Sequence, residues 1–367
     1  MQVKSVTISQ FKNLKEVGIS FSSRFNCFVG NNGAGKTNVL DALYLLSMTK
    51  SFFTSVDGMN VRHGDDFFSV RGSYLRCGEE LELLCSYSAA SKKSFKKNGK
   101  QYERLSDHIG YVPLVMISPE DNELIDGGSE VRRRWLDMAV SQSNMDYLVT
   151  LMKYNKVLLH RNTLLKGLNG VLPRDCSLID VLDERLVEFG NAVTAWREEF
   201  LVQFGPIFNS YYSKISSDRE QVELRYKSSF ASSNFETSLK DNLRRDCALG
   251  YTSVGVHRDD LTMLLSDYPV KKVGSQGQKK SFIIALKFAL YDWLKSKKGV
   301  KPLLLLDDIF DKLDPTRVQS ILNIVGSDEF GQIFITDTRR ESVERMLLSI
   351  GADYKMFEVN DGVVSWE

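Results

Sequence analysis

Apolar and polar side chains alternate along residues 3–9, a period of two that predicts a strand with one buried face. A short strand at 19–21 and the compact apolar run Phe25–Val29 follow, then a glycine loop and a helix over about 36–47. Strands are expected again at 67–74, 81–87 and 112–117, and Asn98-Gly99, set between Phe95 and Tyr102, is a hairpin-turn dipeptide. From 129 to 213 the pattern turns helical, broken only around 167–173. Leu158, Leu159, Leu164, Leu165 and Leu168 recur at helical spacing and are expected to face a core, and 181–212 reads as another long helix. From about 250 the pattern predicts a strand at 261–265, a helix at 281–294, a buried strand at 302–307, a helix near 315–325 and a strand at 332–336.

The two ends are alike in type and the middle reads as an insertion. The expected class is α/β, with one head domain assembled from residues 1–125 and 249–367 and a mostly helical lobe, 126–248, between them. A length of 367 residues leaves room for two such units. With 43% hydrophobic and 26% charged residues, a largely disordered or fibrous chain is excluded. A net charge of +1 excludes a highly basic architectural protein, so any nucleic-acid site must come from local charge placement. Cys27, Cys77, Cys85, Cys176 and Cys247 are scattered, with neither zinc-ligand spacing nor a disulfide framework, as suits a reducing cytosol. No apolar run approaches the ~18 residues of a spanning helix, and the N-terminal residues lack a leader's apolar core. A cytoplasmic location without membrane association is expected.

Gly30-Asn31-Asn32-Gly33-Ala34-Gly35-Lys36-Thr37 fits G-x-x-x-x-G-K-[ST], the phosphate-binding loop, between a strand and the helix that continues through Asn38. Glycines let backbone amides turn toward phosphates, the Lys36 ammonium can reach the β- and γ-phosphates, and the Thr37 hydroxyl can ligate Mg²⁺. The helix start adds its dipole. Leu303-Leu304-Leu305-Leu306-Asp307-Asp308 is an apolar strand ending in two acids, the Walker B pattern. Asp307 is expected to hold Mg²⁺ through water, and Asp308 to orient the attacking water. Gly274-Ser275-Gln276-Gly277-Gln278 precedes an apolar helix and resembles the signature loop of ABC-type ATPases, with Asp311-Lys312-Leu313-Asp314 at the D-loop position. In that class the signature closes over ATP bound to a second subunit, so the resemblance implies an ATP-dependent homodimer with shared sites.

The chain resembles the RecF family, recombinational-repair ATPases of the SMC-like ABC class. Matching segments are Ile8-Ser9-Gln10-Phe11-Lys12-Asn13-Leu14, the phosphate loop, Ile117-Ser118-Pro119-Glu120-Asp121, Gly127-Gly128-Ser129, Arg132-Arg133-Arg134-Trp135-Leu136-Asp137 and Gly255-Val256-His257-Arg258-Asp259-Asp260, together with the signature and Walker B stretches. The resemblance implies ATP and Mg²⁺ as cofactors, DNA as a duplex or a gapped or single-strand junction, RecR and RecO as partners, and a nucleoid-associated weak ATPase that uses ATP as a switch. The chain departs from the family at Val256 for a proline, at Phe53 for a frequent arginine, and at Asp337, near the switch histidine of the wider class.

Two basic clusters are candidates for DNA. Residues 91–104 hold Lys92, Lys93, Lys96, Lys97, Lys100 and Arg104 against Glu103 alone, interleaved with Phe95 and Tyr102. Arg132 and Arg133 open a predicted helix, where pairing with Glu130 or Asp137 is the competing role. The alternative readings are an ABC-type ATPase acting on a membrane or other protein partner, and a small-molecule kinase using the phosphate loop alone. The second leaves the signature and D-loop unexplained.

Overall fold

The computed structural model describes residues 1–218, 220–230, 234–310, 313–349, 351 and 353–366. It separates into two compact units. The first comprises Met1–Asp121, Lys214–Ser217 and Gln276–Glu367, and the second Asn122–Ser213 and Asp218–Ser275.

In the first unit a six-stranded sheet runs in the order Val363–Ser365, Tyr354–Asn360, Phe25–Val29, Ile333–Asp337, Leu303–Asp307, Leu114–Ile117. All neighbours are parallel except the first pair. Every residue of Phe25–Val29, Leu303–Asp307 and Ile333–Asp337 is buried, the reason these strands read as mostly apolar runs. Parallel pairing brings the ends of three strands, residues 29, 307 and 337, to one edge, where α/β sheets bind ligands.

A second, antiparallel sheet of this unit has the order Leu14–Ser20, Gln2–Phe11, Phe67–Arg76, Glu79–Ser88, Lys92–Lys97, Lys100–Gln101. Asn98 and Gly99 both take positive φ, 48° and 77°, as the hairpin's tight turn demands. The expected strands are present with shifted bounds. The expectations lacked Tyr354–Asn360 and Val363–Ser365, which complete the parallel sheet.

The second unit holds the helices Ser129–Ser143, Met145–Gly167 and Phe235–Leu249 and most of Ser177–Ser216. It also holds a three-stranded sheet in which Asp260–Leu265 pairs with Val222–Lys227, from Asp260↔Lys227 to Leu265↔Val222. That pairing corrects the expected return at 249: residues 249–275 pack with the inserted lobe, which therefore is not purely helical.

The leucine stripe is also corrected. Leu165 is buried but Leu159 is 64% exposed, and the inward face of Met145–Gly167 is Tyr147, Tyr154, Arg161 and Leu165. Arg161, fully buried, bonds Asp183, Asp246 at 2.7 Å and the Thr252 hydroxyl at 3.0 Å. Arg197 does the same work nearby with Asp137 and the Val256 carbonyl, both within 2.9 Å. Buried charges are tolerated only when paired in this way.

His108 is buried, His257 is half-buried, and both are neutral. Carbonyls only accept, so Nε2 of His108 donates to Leu46 O (2.8 Å) and Nε2 of His257 to Thr252 O (3.0 Å). Their Nδ1 atoms then accept from the Tyr102 and Tyr154 hydroxyls. Burial pushes both imidazoles down to about 4 from an ordinary 6.5. The unfolded chain binds more protons between those values, so this stabilisation is complete above the ordinary value and is lost as pH falls toward the folded one. Each histidine changes stability by up to about 1.4 kcal/mol per pH unit in that window. Imidazole NMR shifts should stay in the neutral form down to about pH 5, and the urea midpoint should be lower at pH 5 than at pH 7. A midpoint near 6.5 for either ring would refute the assignment.

Candidate nucleotide site

The loop between Phe25–Val29 and the helix Lys36–Met48 is shaped by close backbone approach. A Cβ at Gly30 would lie 2.2 Å from the Val359 carbonyl oxygen of the neighbouring strand, so only glycine fits. Gly35 takes φ +115°, a conformation that other residues rarely adopt. Asn31, Asn32 and Gly33 are exposed at the tip, while Ala34, Gly35 and Lys36 are buried. The first amides of a helix lack an acceptor one turn back, which suits such a start to an anion, while Asn38 N here donates to Gly35 O at 3.0 Å.

The Lys36 ammonium donates to Gly30 O at 2.8 Å and Asn31 O at 2.9 Å, curled over its own loop. The Thr37 hydroxyl donates to Asp307 Oδ1 at 2.8 Å, which joins the phosphate loop to the Walker B strand across 270 residues. Thr336 donates to the same oxygen at 2.7 Å and accepts the Asp308 amide at 3.1 Å. Burial raises the proton affinity of Asp307, opposed by these hydroxyls and by the charge of Lys36. A hydroxyl and a carboxylate side by side are oxygen donors of the type a hard divalent cation takes.

Asp308 follows the strand in a left-handed conformation, φ 46°, that aspartate and asparagine tolerate better than other side chains. Asp337, at the switch position, is 9% exposed and accepts the Arg339 amide at 2.8 Å. Ser275 and Gln276 are exposed and Gly277 and Gln278 half-buried at the start of the helix Gln276–Lys298. Asp314 caps the helix Pro315–Gly326 by accepting the Arg317 amide. Asp311 and Lys312 lie outside the described residues.

Sequence reasoning missed the ring of support around the loop. Asn13 donates to Gly33 O (3.2 Å) and accepts from the Asn38 side chain (2.8 Å). Gly362 N donates to Ala34 O at 2.8 Å. Lys12 pairs with buried Asp41 at 2.6 Å and lies 4.7 Å from the centre of the Phe53 ring. The Phe53 ring thus receives a cation on its face.

The basic clusters divide. Lys93 pairs with Asp57, and the Lys97 ammonium sits 3.7 Å from the centre of the Tyr111 ring. Both share the strand face of buried Phe95, while Lys92 and Lys96 share the opposite one. Arg132 forks onto Asp260 at 2.7 and 3.0 Å and donates to Gly127 O. Arg133 donates to Asp259 O at 2.7 Å, while Arg134 pairs with Glu130 and Asp137 with Arg197. The expected competing partners of Arg132 and Arg133 are therefore replaced by the Asp260 carboxylate and the main-chain carbonyl of Asp259.

Residues 1–147 match the family model described as AAA ATPase domain. The chain is 49% identical over 366 residues to DNA replication and repair protein RecF of Bacteroides fragilis, covering 100% of this chain and 98% of that one. The chain belongs to the RecF family. RecF of Flavobacterium johnsoniae is 45% identical over 98% of this chain and 100% of its own length. The solved structure of the recombination mediator protein RecF-ATP in the RecFOR pathway superposes with a TM-score of 0.90, at 31% identity over 100% of this chain and 97% of that one. An SMC head at 16% identity and TM-score 0.58, covering 100% of this chain and 96% of that one, shares the fold. This RecF-family chain is thus an ATP-binding ATPase of DNA replication and repair, with an ABC-type α/β head. Among the described residues no helix is long and apolar enough to cross a membrane.

Proposed function

We propose that the chain is an ATP-gated, DNA-binding homodimer in which ATP closes two subunits on DNA and slow hydrolysis reopens them. The observation that carries this reading is the Thr37–Asp307–Thr336 cluster, which joins residues from both ends of the chain at the sheet edge beside Lys36. Residues 30–38 cradle the triphosphate, with Lys36 facing the β- and γ-phosphates. Thr37 and Asp307 hold Mg²⁺, which when bound neutralises charge on the phosphate oxygens. Asp308 orients the attacking water, and Ser275, Gln276, Gly277, Gln278 and Asp314 serve the partner's nucleotide. On the hairpin, Lys92 and Lys96 are the phosphate contacts we favour, because Lys93 and Lys97 already have partners within the fold. RecR and RecO are the partners proposed by kinship with RecFOR-pathway proteins, and the cytoplasmic nucleoid is the proposed location. The membrane-partner alternative has no comparable support.

Light scattering with and without ATP and a gapped duplex tests this directly. Mass should double with ATP and rise again with DNA. Lys92→Glu combined with Lys96→Glu should keep the ATP response and weaken DNA binding, flattening the dependence of log K on log salt by about 0.9 per lost contact. A mass unmoved by ATP refutes the dimer, and an unchanged salt slope removes the hairpin from the DNA site.

Asp308→Asn is expected to leave ATP affinity intact, slow turnover about tenfold or more, and let ATP-bound dimers accumulate. Asparagine also accepts the left-handed backbone at 308, so the loss is chemical rather than conformational. Normal turnover would remove Asp308 from the catalytic step.

A further inference from the structure

Lys287 and Asp121 belong to none of the nucleotide motifs, yet among the described residues they form the least exposed ion pair of the first unit, with side chains 3% and 7% exposed. The Lys287 ammonium donates to Asp121 Oδ1 at 2.6 Å and to Met116 O at 2.8 Å. Asp121 Oδ2 accepts the Ser118 amide at 2.8 Å, and its own amide donates to Ser118 O at 3.0 Å. One cation therefore ties the helix Gln276–Lys298, three turns from its start, to the strand Leu114–Ile117 and the turn after it. That strand lies beside the Walker B strand, with Ile117 level with Leu306. The chain leaves the first unit after Asp121, touches it again at Lys214–Ser217 and returns to it for good at Gln276, so the pair joins the first exit to the last returning helix.

A buried ion pair adds little to stability beyond what an apolar pair of similar volume supplies. Its distinctive property is direction. Apolar contact is indifferent to small rotations and slides, whereas an ammonium held by a carboxylate and a carbonyl fixes the rotation and height of its helix. The turn so held also bears Glu120, whose proton affinity is raised by partial desolvation and then by Asp121, with Lys12 opposing.

We propose that Lys287 and Asp121 are positioning residues. They set the signature helix against the Walker B edge so that residues 275–278 and the nucleotide edge of one subunit can both engage in the closed dimer. This rests on the reading of residues 275–278 as a signature acting on a partner's nucleotide.

The test is the Asp121→Asn, Lys287→Met double variant. Either change alone strands a buried charge and should lower the urea midpoint, whereas the double change removes both charges and keeps the volume filled. The double variant should unfold near the wild-type midpoint and bind ATP with unchanged Kd and KM. Its kcat should fall about tenfold or more, since misplacements of about 1 Å cost that much or more, with ATP-dependent dimers weakened. A wild-type kcat in the folded double variant overturns the proposal. If the double variant does not fold, Lys287→Arg is read for the same split between kcat and KM. Its planar fork keeps the charge but not the single-point geometry, and a wild-type kcat there overturns the proposal as well. Ser275→Arg measured in parallel separates the two ideas. If it turns over normally the signature reading fails, and if it is inactive while the double variant is normal only the positioning role fails.

Discussion

Replacing Lys36 with alanine should abolish tight ATP binding. Lys36 is 4% exposed and its ammonium already fixed by two carbonyls of its own loop, so little conformational freedom remains to be lost when it meets a phosphate. Hydrogen bonds to charged groups contribute about 1.5–3 kcal/mol each. Loss of the contacts to the β- and γ-phosphates therefore weakens ATP by roughly 100-fold or more. Alanine also frees Gly30 O and Asn31 O, but the loop tip is exposed and water satisfies them, so the fold should survive with a small stability change. Calorimetry with ATP on the folded variant is the measurement. An affinity equal to wild type would overturn the phosphate-loop assignment.

What the sequence made legible was local. The phosphate loop, the apolar strand before it and the leucine run ending in Asp307 each lie within one short stretch. Burial on both faces of a parallel sheet leaves a plain apolar signature. What was illegible depends on distant partners. Asn13 and Gly362 brace the loop from 20 or more residues away, by contacts that no spacing rule reveals. The strand Tyr354–Asn360 mixes lysine, glutamate and asparagine with apolar residues and gave no strong periodicity, although it lies directly beside the phosphate-loop strand. Arg161 and Arg197 were invisible as core residues because arginine reads as surface until its aspartates are placed. The lysine hairpin was read as a single patch, and strand alternation divides it into two faces.

Ser275→Arg should leave each subunit able to bind ATP and unable to complete the site of its partner. Ser275 is exposed immediately before the helix Gln276–Lys298, so the larger side chain meets solvent in the monomer. Substitutions at such surface positions typically change stability by no more than about 0.5 kcal/mol. In the closed dimer the same position is proposed to face the partner's γ-phosphate, where the hydroxyl and the close backbone approach would both be lost. ATP affinity by calorimetry should therefore stay near wild type, while ATP-dependent dimers by light scattering and steady-state turnover both disappear. Mixing with Lys36→Ala protein should restore at most one composite site, made from the intact phosphate loop of the Ser275→Arg subunit and the intact signature of the other. Partial recovery of turnover in the mixture, with neither variant active alone, would distinguish a trans site from general damage. A Ser275→Arg protein that dimerises with ATP and hydrolyses it normally would reduce residues 274–278 to a helix cap and remove the composite-site mechanism.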